Sequence, residues 1–118
     1  YTTQAYGLRD KVSEYERLYI EWSYASRVTN DRNAARRTLE TMVAAYPGDF
    51  SAKNNLGVLL IGLAEFDKAL EQYQAASQIA PNEPLPISNS AYALLFLGRL
   101  DEAFTMVDRA LALRPDPN

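Results

Sequence analysis

The sequence predicts an all-α protein built from tandem antiparallel helix pairs, and two observations support this prediction. First, Pro47, Pro81 and Pro115 stand 34 residues apart, and each follows an apolar, helix-prone run. Second, small or apolar residues recur in register when the three 34-residue windows are superimposed. The recurring sets are Ala35/Ala69/Ala103, Leu39/Tyr73/Val107, Met42/Ala76/Ala110, Asn30/Ala64/Gly98 and Ser23/Gly57/Ala91. A fixed repeat of this kind indicates stacked units of supersecondary structure.

The middle window shows the two helices of one unit most clearly. Residues 51–63 carry leucines at positions i, i+3, i+4 and i+7, which mark one face of a helix. A turn is predicted at 64–66 and a second helix at 67–80, with acidic residues in its first turn, as the helix dipole prefers. Pro81 ends this helix because it has no N–H with which to continue the hydrogen-bond ladder.

The third window repeats the pattern of the second. We predict a helix from Pro86 or Ile87 to Leu97 and another at 101–113. Gly98 lies between them, where a helix C-terminus needs a left-handed backbone.

The first window begins with a capping box, the sequence SEYE at Ser13–Glu16. A helix at 14–28, a turn at 29–31 and a second helix at about 32–45 are predicted to follow.

The small residues of the pattern predict a close approach of the two helices in each pair. Only Gly, Ala or Ser lets two antiparallel backbones come near each other. Gly57 and Ala69 are the expected contact pair. Larger side chains such as Phe66 and Tyr73 are expected to fill the space around that contact.

The windows place repeat 1 at 14–47, repeat 2 at 48–81 and repeat 3 at 82–115, in one array. In the same frame Ala5 and Leu8 fall in apolar columns, so residues 1–12 are expected to be the tail of a preceding helix. Residues 116–118 would be a cut-off C-terminal tail. We therefore expect the chain to be part of a longer protein.

Composition argues against most catalytic and nucleic-acid functions. The chain has no Cys and no His, so it lacks the thiolate, the commonest general base and the commonest metal ligand. Its net charge of −3 does not favour nucleic acid, which is held by clustered basic residues. No apolar run approaches the length of a membrane span. We expect no enzyme activity, no cofactor, no metal, no nucleic-acid partner and no membrane insertion.

Two clusters of residue types have both a structural and a functional interpretation. The acidic pairs Glu14/Glu16 and Asp101/Glu102 fit helix N-terminal charges better than a metal or acid–base site. The aromatic residues Tyr15, Tyr19 and Trp22 follow helical spacing, which favours core packing over a ligand platform.

At this point the pattern resembles the tetratricopeptide repeat (TPR) family. The middle window carries the resemblance through Leu56-Gly57, Leu60, Phe66, Ala69, Tyr73, Ala76 and Pro81. The third window is similar, and the first diverges, with Trp22-Ser23 in place of Leu-Gly. The resemblance implies a right-handed α-α superhelix, or solenoid, whose concave groove is lined by the first helix of each pair.

The family's groove positions define a candidate partner-binding site. Carried across to this sequence, they are Arg17, Tyr24, Arg27, Ser51, Asn54, Asn55, Val58, Ile61, Ser88, Asn89, Tyr92 and Phe96, together with Ile20, Leu85 and Leu95.

Three of these residues, Asn54, Asn55 and Asn89, carry a separate argument. Asn is a poor helix former, yet all three are predicted inside helices. Their amides could exchange hydrogen bonds with a peptide backbone, or they could simply cap or solvate the helices.

Some TPR proteins hold a peptide's terminal carboxylate with Lys, Asn and Arg at set groove positions. In this sequence those positions hold Ile20, Tyr24, Asn55, Leu85 and Asn89, of which only Asn55 fits. We therefore predict no carboxylate clamp.

A second resemblance concerns the N-terminal half. The segments AYGLRDKVSEYERLYIEWSY and TNDRNAARRTLETMVAAYPGDF look like the TPR part of large bacterial serine/threonine protein kinases and related sensory regulators. This implies a non-catalytic module that binds a protein or peptide segment within a bacterial signalling protein. The alternative is a spacer or homo-oligomerising element that stacks through Ala5/Leu8 at one end and Phe104/Val107/Leu111 at the other. The compartment stays open: cytoplasmic by default, or outside the cytoplasm if the parent is membrane-anchored.

Overall fold

The computed structural model describes residues 13–113, and this part of the chain contains helices and turns but no strand. Its helices are α1 (Glu14–Arg27), α2 (Arg32–Ala45), α3 (Phe50–Gly62), α4 (Phe66–Ile79), α5 (Pro84–Phe96) and α6 (Leu100–Ala112). The helices of each predicted pair pack together, α1 on α2, α3 on α4 and α5 on α6. The all-α, helix-pair prediction is therefore confirmed. The predicted tails at 1–12 and 116–118, and the closing Pro115, lie outside the described residues.

The chain divides into two compact units, residues 1–47 and residues 48–118. The first unit contains α1 and α2. The second contains α3 to α6, and within it α4 packs against both α3 and α5. The arrangement of all three repeats in one continuous array stays a prediction.

Most helix boundaries lie one residue from their predicted places. Helices α3, α4 and α6 each begin and end one residue early, and α1 ends at Arg27. The start of α3 has a visible cause, because the Asp49 carboxylate accepts a hydrogen bond from the Ser51 N–H at 3.0 Å. Helix α5 begins at Pro84, two residues before the predicted Pro86. Proline suits the first helical position, since the N–H it lacks would have no helical partner there.

At the predicted capping box the Ser13 side chain caps the start of α1 and also bonds to the Glu16 side chain. The Glu16 N–H donates to the Ser13 hydroxyl at 3.3 Å, and that hydroxyl donates to the Glu16 carboxylate at 3.2 Å. Helix α2 is capped in a similar way by Asp31, whose carboxylate accepts from the Ala34 N–H at 3.1 Å.

The turn inside each pair contains a residue with a left-handed backbone. Gly98 has φ +76°, as its position predicted, but Ala64 at +61° and Asn30 at +51° share this conformation. All three belong to one column of the 34-residue pattern. The repeat therefore imposes one turn geometry on three different residues, and Ala64 adopts it at a steric cost that Gly98 avoids.

The close approach in the second unit involves a different partner from the predicted one. The three atoms nearest to a Cβ added at Gly57 all belong to the Tyr73 ring, the closest at 2.5 Å, so the ring and not Ala69 is its nearest neighbour. Tyr73 is 2% exposed, and this burial raises its pKa to about 12. The correction has a simple reason: Gly57 makes room for a ring, and a ring needs more space than a second small residue.

The first unit is built around Leu18, Leu39 and Met42, which are buried between α1 and α2. The expectation that its aromatic stripe is core is only partly met, because Tyr19 is 43% exposed. Tyr19 packs edge-on against Trp22, with ring centroids 5.3 Å apart, rather than beneath another helix.

Candidate partner-binding face

The predicted groove residues fall in two groups, one in each unit, and each group is described by itself. In the first unit α1 carries Arg17, Ile20, Tyr24 and Arg27. Both arginines are exposed, and the other two side chains are half-buried. The remaining predicted residues lie on α3 and α5 of the second unit.

Helices α3 and α5 touch each other, and each presents a stripe of side chains at helical spacing. We call these two stripes the α3/α5 face. Its exposed members are Ser51, Val58, Leu85, Tyr92, Leu95 and Phe96, and its half-buried members are Asn55, Ile61, Ser88 and Asn89. Two of the α5 members, Leu85 and Ser88, also border α6, because they line a groove together with Val107 and Leu111.

One predicted residue, Asn54, is not available on that surface. Its side chain is 6% exposed, and its Oδ1 accepts a hydrogen bond from Asn89 Nδ2 at 3.0 Å. Capping or solvation, the alternative interpretation of the asparagines, does not describe this residue either. The amide pair links two successive first helices, because a buried amide needs a partner and the two residues provide it for each other.

The C-terminal end of the α3/α5 face holds an aromatic platform. Phe96 of α5 stacks on Phe66 of α4, with centroids 4.6 Å apart and ring planes 6° from parallel. Phe96 nevertheless remains largely exposed, as does Tyr92 one turn earlier. Phe66 therefore supports one face of the Phe96 ring, and the rest of that ring is exposed to solvent.

Charge is distributed unevenly between the two kinds of helix in the second unit. Helix α5 has no charged residue, and α3 has only Lys53, which is half-buried. Helices α4 and α6 carry the charges: Asp67, Lys68, Glu71, Asp101, Glu102, Asp108 and Arg109. The exposed part of the α3/α5 face is therefore neutral.

Residues 13–113 contain no cluster of acidic, His or Cys side chains that could hold a metal ion. Arg99 pairs with Glu102 at 2.8 Å, which lowers the pKa of the Glu102 carboxyl, but this exposed pair belongs to the start of α6. Within the same range no helix has the length and apolarity needed to cross a bilayer.

A comparison with family models identifies the repeat. A tetratricopeptide repeat model matches residues 23–84, more than half of the chain, and a second one matches residues 88–117. The chain belongs to the TPR family. Of the residues that carried the resemblance in the middle window, Gly57 and Tyr73 form a close contact between α3 and α4, and Phe66 stacks on Phe96 of α5.

Several solved structures share this fold. A crystal structure of MamA protein is 24% identical with a TM-score of 0.82, and the alignment covers 95% of this chain and 63% of that one. Another MamA crystal structure is 26% identical with a TM-score of 0.78, covering 84% and 57%. YrrB, described as a TPR protein with an unusual peptide-binding site, is 19% identical with a TM-score of 0.82, covering 98% and 62%. This chain thus spans less than two thirds of these three proteins, and no curated protein sequence matches it.

The sequence reasoning missed the link between Asn54 and Asn89. A signal for it was present, because the two residues are 35 positions apart, one more than the repeat length. That offset places them at neighbouring positions of two successive first helices. In a TPR array such positions face each other, so two amides there predict a hydrogen bond as readily as a ligand contact.

Proposed function

We propose that this TPR chain binds a segment of a partner protein on the first helices of its repeats and carries out no chemistry of its own. The α3/α5 face is the part of the molecule that best supports this. Val58, Tyr92 and Phe96 are large apolar side chains that stay exposed there, and contiguous exposed apolar surface commonly marks a binding site.

The family supports the same proposal. YrrB, which shares this chain's fold, is described as a TPR protein with an unusual peptide-binding site. Asn55, Ser88 and Asn89 place neutral hydrogen-bonding groups beside the apolar side chains of the face, a combination that suits a peptide backbone with apolar side chains.

A peptide-display experiment tests the proposal without a known partner. The immobilised chain selects from random peptides of about 12 residues, twice the length that an extended segment needs to cover a helix of ~20 Å. Clones are then counter-screened on Tyr92→Ser. The matched control is Phe104→Ser on α6, since Phe104 is 62% exposed and Tyr92 is 61% exposed. We expect selected clones to lose binding to Tyr92→Ser and to keep it on Phe104→Ser; clones insensitive to Tyr92→Ser would contradict a site on the α3/α5 face.

A second candidate function is self-association, and the outer surface of α6 favours it. Leu100, Phe104, Val107 and Leu111 form an exposed apolar stripe along this helix. The residues 34 positions before Phe104 and Val107 are Leu70 and Tyr73, and both are buried in α4, which has helices on two sides. Among the described helices α6 contacts only α5. The other predicted stacking residues, Ala5 and Leu8, lie outside the described part.

Sedimentation velocity over a wide concentration range decides this second candidate. Stacking through α6 predicts that the wild-type chain sediments faster as concentration rises and that Phe104→Ser removes the dependence. A chain that stays monomeric at every concentration, or a Phe104→Ser variant that associates as strongly as wild type, would rule the candidate out.

We further propose that the chain serves within a larger bacterial signalling or regulatory protein, such as a serine/threonine kinase. The support is the resemblance of the first unit's sequence to the TPR part of such proteins. The coding sequence on both sides of the chain tests this directly, since a kinase or sensory domain in the same reading frame is the expected finding and its absence would remove the proposal.

A further inference from the structure

The α3/α5 face of the second unit is unusual in being neutral over its whole length, and this has a consequence for what it binds. Helix α5 contains no charged residue, and the single charge of α3 belongs to the half-buried Lys53. The nearest charges in sequence are acidic ones at the helix starts, Asp49 before α3 and Glu83 before α5. A carboxylate laid on this face would give up hydration and meet no paired cation, which is costly.

The α3/α5 face offers a ligand apolar side chains to contact in place of charges. Five large ones are exposed: Val58, Leu85, Tyr92, Leu95 and Phe96. They lie on two helices of 13 residues each, so the face is ~20 Å long and an extended segment covers it with about 6 residues. Every second side chain of such a segment points toward the helices, which gives about three positions for apolar contact.

The polar groups of the face are neutral as well. Asn89 uses one Nδ2 hydrogen to bond Asn54, which fixes the orientation of its amide. Its Oδ1 and the second Nδ2 hydrogen remain as one acceptor and one donor, which matches the N–H and C=O of a peptide backbone. Asn55 adds another half-buried amide on α3.

We infer that the ligand of the second unit is an uncharged segment with two or three large aliphatic or aromatic side chains. Its backbone bonds to the Asn89 amide, and its apolar side chains contact Val58, Tyr92 and Phe96. This inference rests on the proposed binding function and goes beyond it by naming the chemistry of the ligand. Binding on this face is apolar and backbone-directed, and electrostatic attraction contributes nothing to it.

The test uses the best clone from the display experiment as a synthetic peptide with acetylated and amidated ends. Its affinity for the chain is measured calorimetrically at ~50 mM and ~500 mM NaCl, where screening lengths differ about threefold. We expect a change in affinity of less than about twofold, because no ion pair is there to be screened. Replacing one apolar residue of the peptide by Asp, and separately by Lys, is expected to weaken binding about tenfold or more.

Variants of the chain separate this inference from the proposed function. Tyr92→Lys should weaken the neutral peptide, whereas Lys53→Gln should leave its affinity unchanged. A peptide that needs the α3/α5 face but carries acidic residues, loses affinity in high salt and depends on Lys53 would overturn the inference and leave the proposed function standing. Selected peptides whose binding is unchanged by Tyr92→Ser would overturn the proposed function itself.

Discussion

The contact between Gly57 and Tyr73 predicts that one added methyl group destabilises the fold only when the ring is present. Three ring atoms lie 2.5, 2.8 and 2.9 Å from the place of a Cβ at Gly57, whereas ordinary van der Waals contacts are 3.4–4 Å. The ring is buried, so it cannot move aside without opening the core of the α3/α4 pair.

The size of the effect follows from two opposing terms. Overpacking a core costs about 1–3 kcal/mol, and an overlap of this depth belongs in the upper half of that range. Alanine is favoured over glycine inside a helix by about 1 kcal/mol. Gly57→Ala is therefore expected to destabilise the protein by about 1–2 kcal/mol.

A double-mutant cycle isolates the contact. In the first repeat Leu39 holds the place of Tyr73, and Ser23, which has a Cβ, holds the place of Gly57. In a Tyr73→Leu background Gly57→Ala should lose its penalty and become neutral or stabilising by up to ~1 kcal/mol, the helix-propensity gain alone. The coupling energy should reach about 2 kcal/mol, within the range for residues in contact.

The assay is urea denaturation followed by far-UV circular dichroism, with Gly62→Ala as control. Gly62 is also in α3, but a Cβ there would meet no atom within 4 Å. Gly62→Ala should therefore not destabilise in either background. If Gly57→Ala costs the same free energy with Tyr73 and with Leu at that position, the contact does not govern the choice of glycine and the reasoning fails.

Three further predictions concern the turns, the buried ring and the amide pair. Ala64→Gly should raise the free energy of unfolding by about 0.5–1 kcal/mol, and Gly98→Ala should lower it by the same amount. The reason is that a left-handed backbone costs an L-residue about 1–2 kcal/mol, and glycine's greater freedom in the unfolded chain offsets part of that cost. Thermal melts check both substitutions, and melting points equal to that of the wild type would contradict the prediction. The pKa of Tyr73 should be about 12 in the folded protein against 10.0 in the unfolded chain, so stability should fall as pH rises from 10 to 12. In an absorbance titration Tyr73→Phe should remove the ionisation near pH 12. Asn89→Ala should lower the free energy of unfolding by about 1–3 kcal/mol, because it leaves the buried Asn54 amide unpaired. Asn54→Ala should cost less free energy in the Asn89→Ala variant than in the wild type. Urea titrations measure these losses, and losses that simply add would contradict the hydrogen bond.

Much of the fold could be predicted because its determinants are local and repeat along the chain. The spacing of Pro47 and Pro81, the leucines of α3 and the capping box at Ser13 each act within a few residues, so sequence periodicity reports them directly. Each window alone indicates a helix pair only weakly, and the agreement of the three windows in length and register makes the prediction strong. The start of α3 was off by one residue, and there the Asp49 carboxylate accepts a hydrogen bond from the Ser51 N–H.

The wrong predictions for Tyr19 and Asn54 have a different cause. Whether each side chain is buried depends on a helix outside the pair to which it belongs. The pattern of α1 predicted an inward-facing Tyr19, but the described part of the first unit places no helix over it. The pattern of α3 predicted an available Asn54, but α5 approaches and supplies Asn89 as a partner. Periodicity identifies which residues share a face and carries no information about how much of that face the next helix covers.

The residues that define the repeat therefore differ from the residues that we propose as the ligand contacts. Gly57, Ala69 and Tyr73 are buried, so packing constrains them, and they report the fold without reporting the ligand. The exposed positions of α3 and α5 are under no such packing constraint, so their composition is free to follow the partner. Their neutrality, next to charged second helices in the same pairs, cannot come from the requirements of a soluble surface, since those requirements favour charge. Tyr92 and Phe96 stay exposed on a helix that has no charged residue, which fits the proposed partner, one that covers them with apolar side chains.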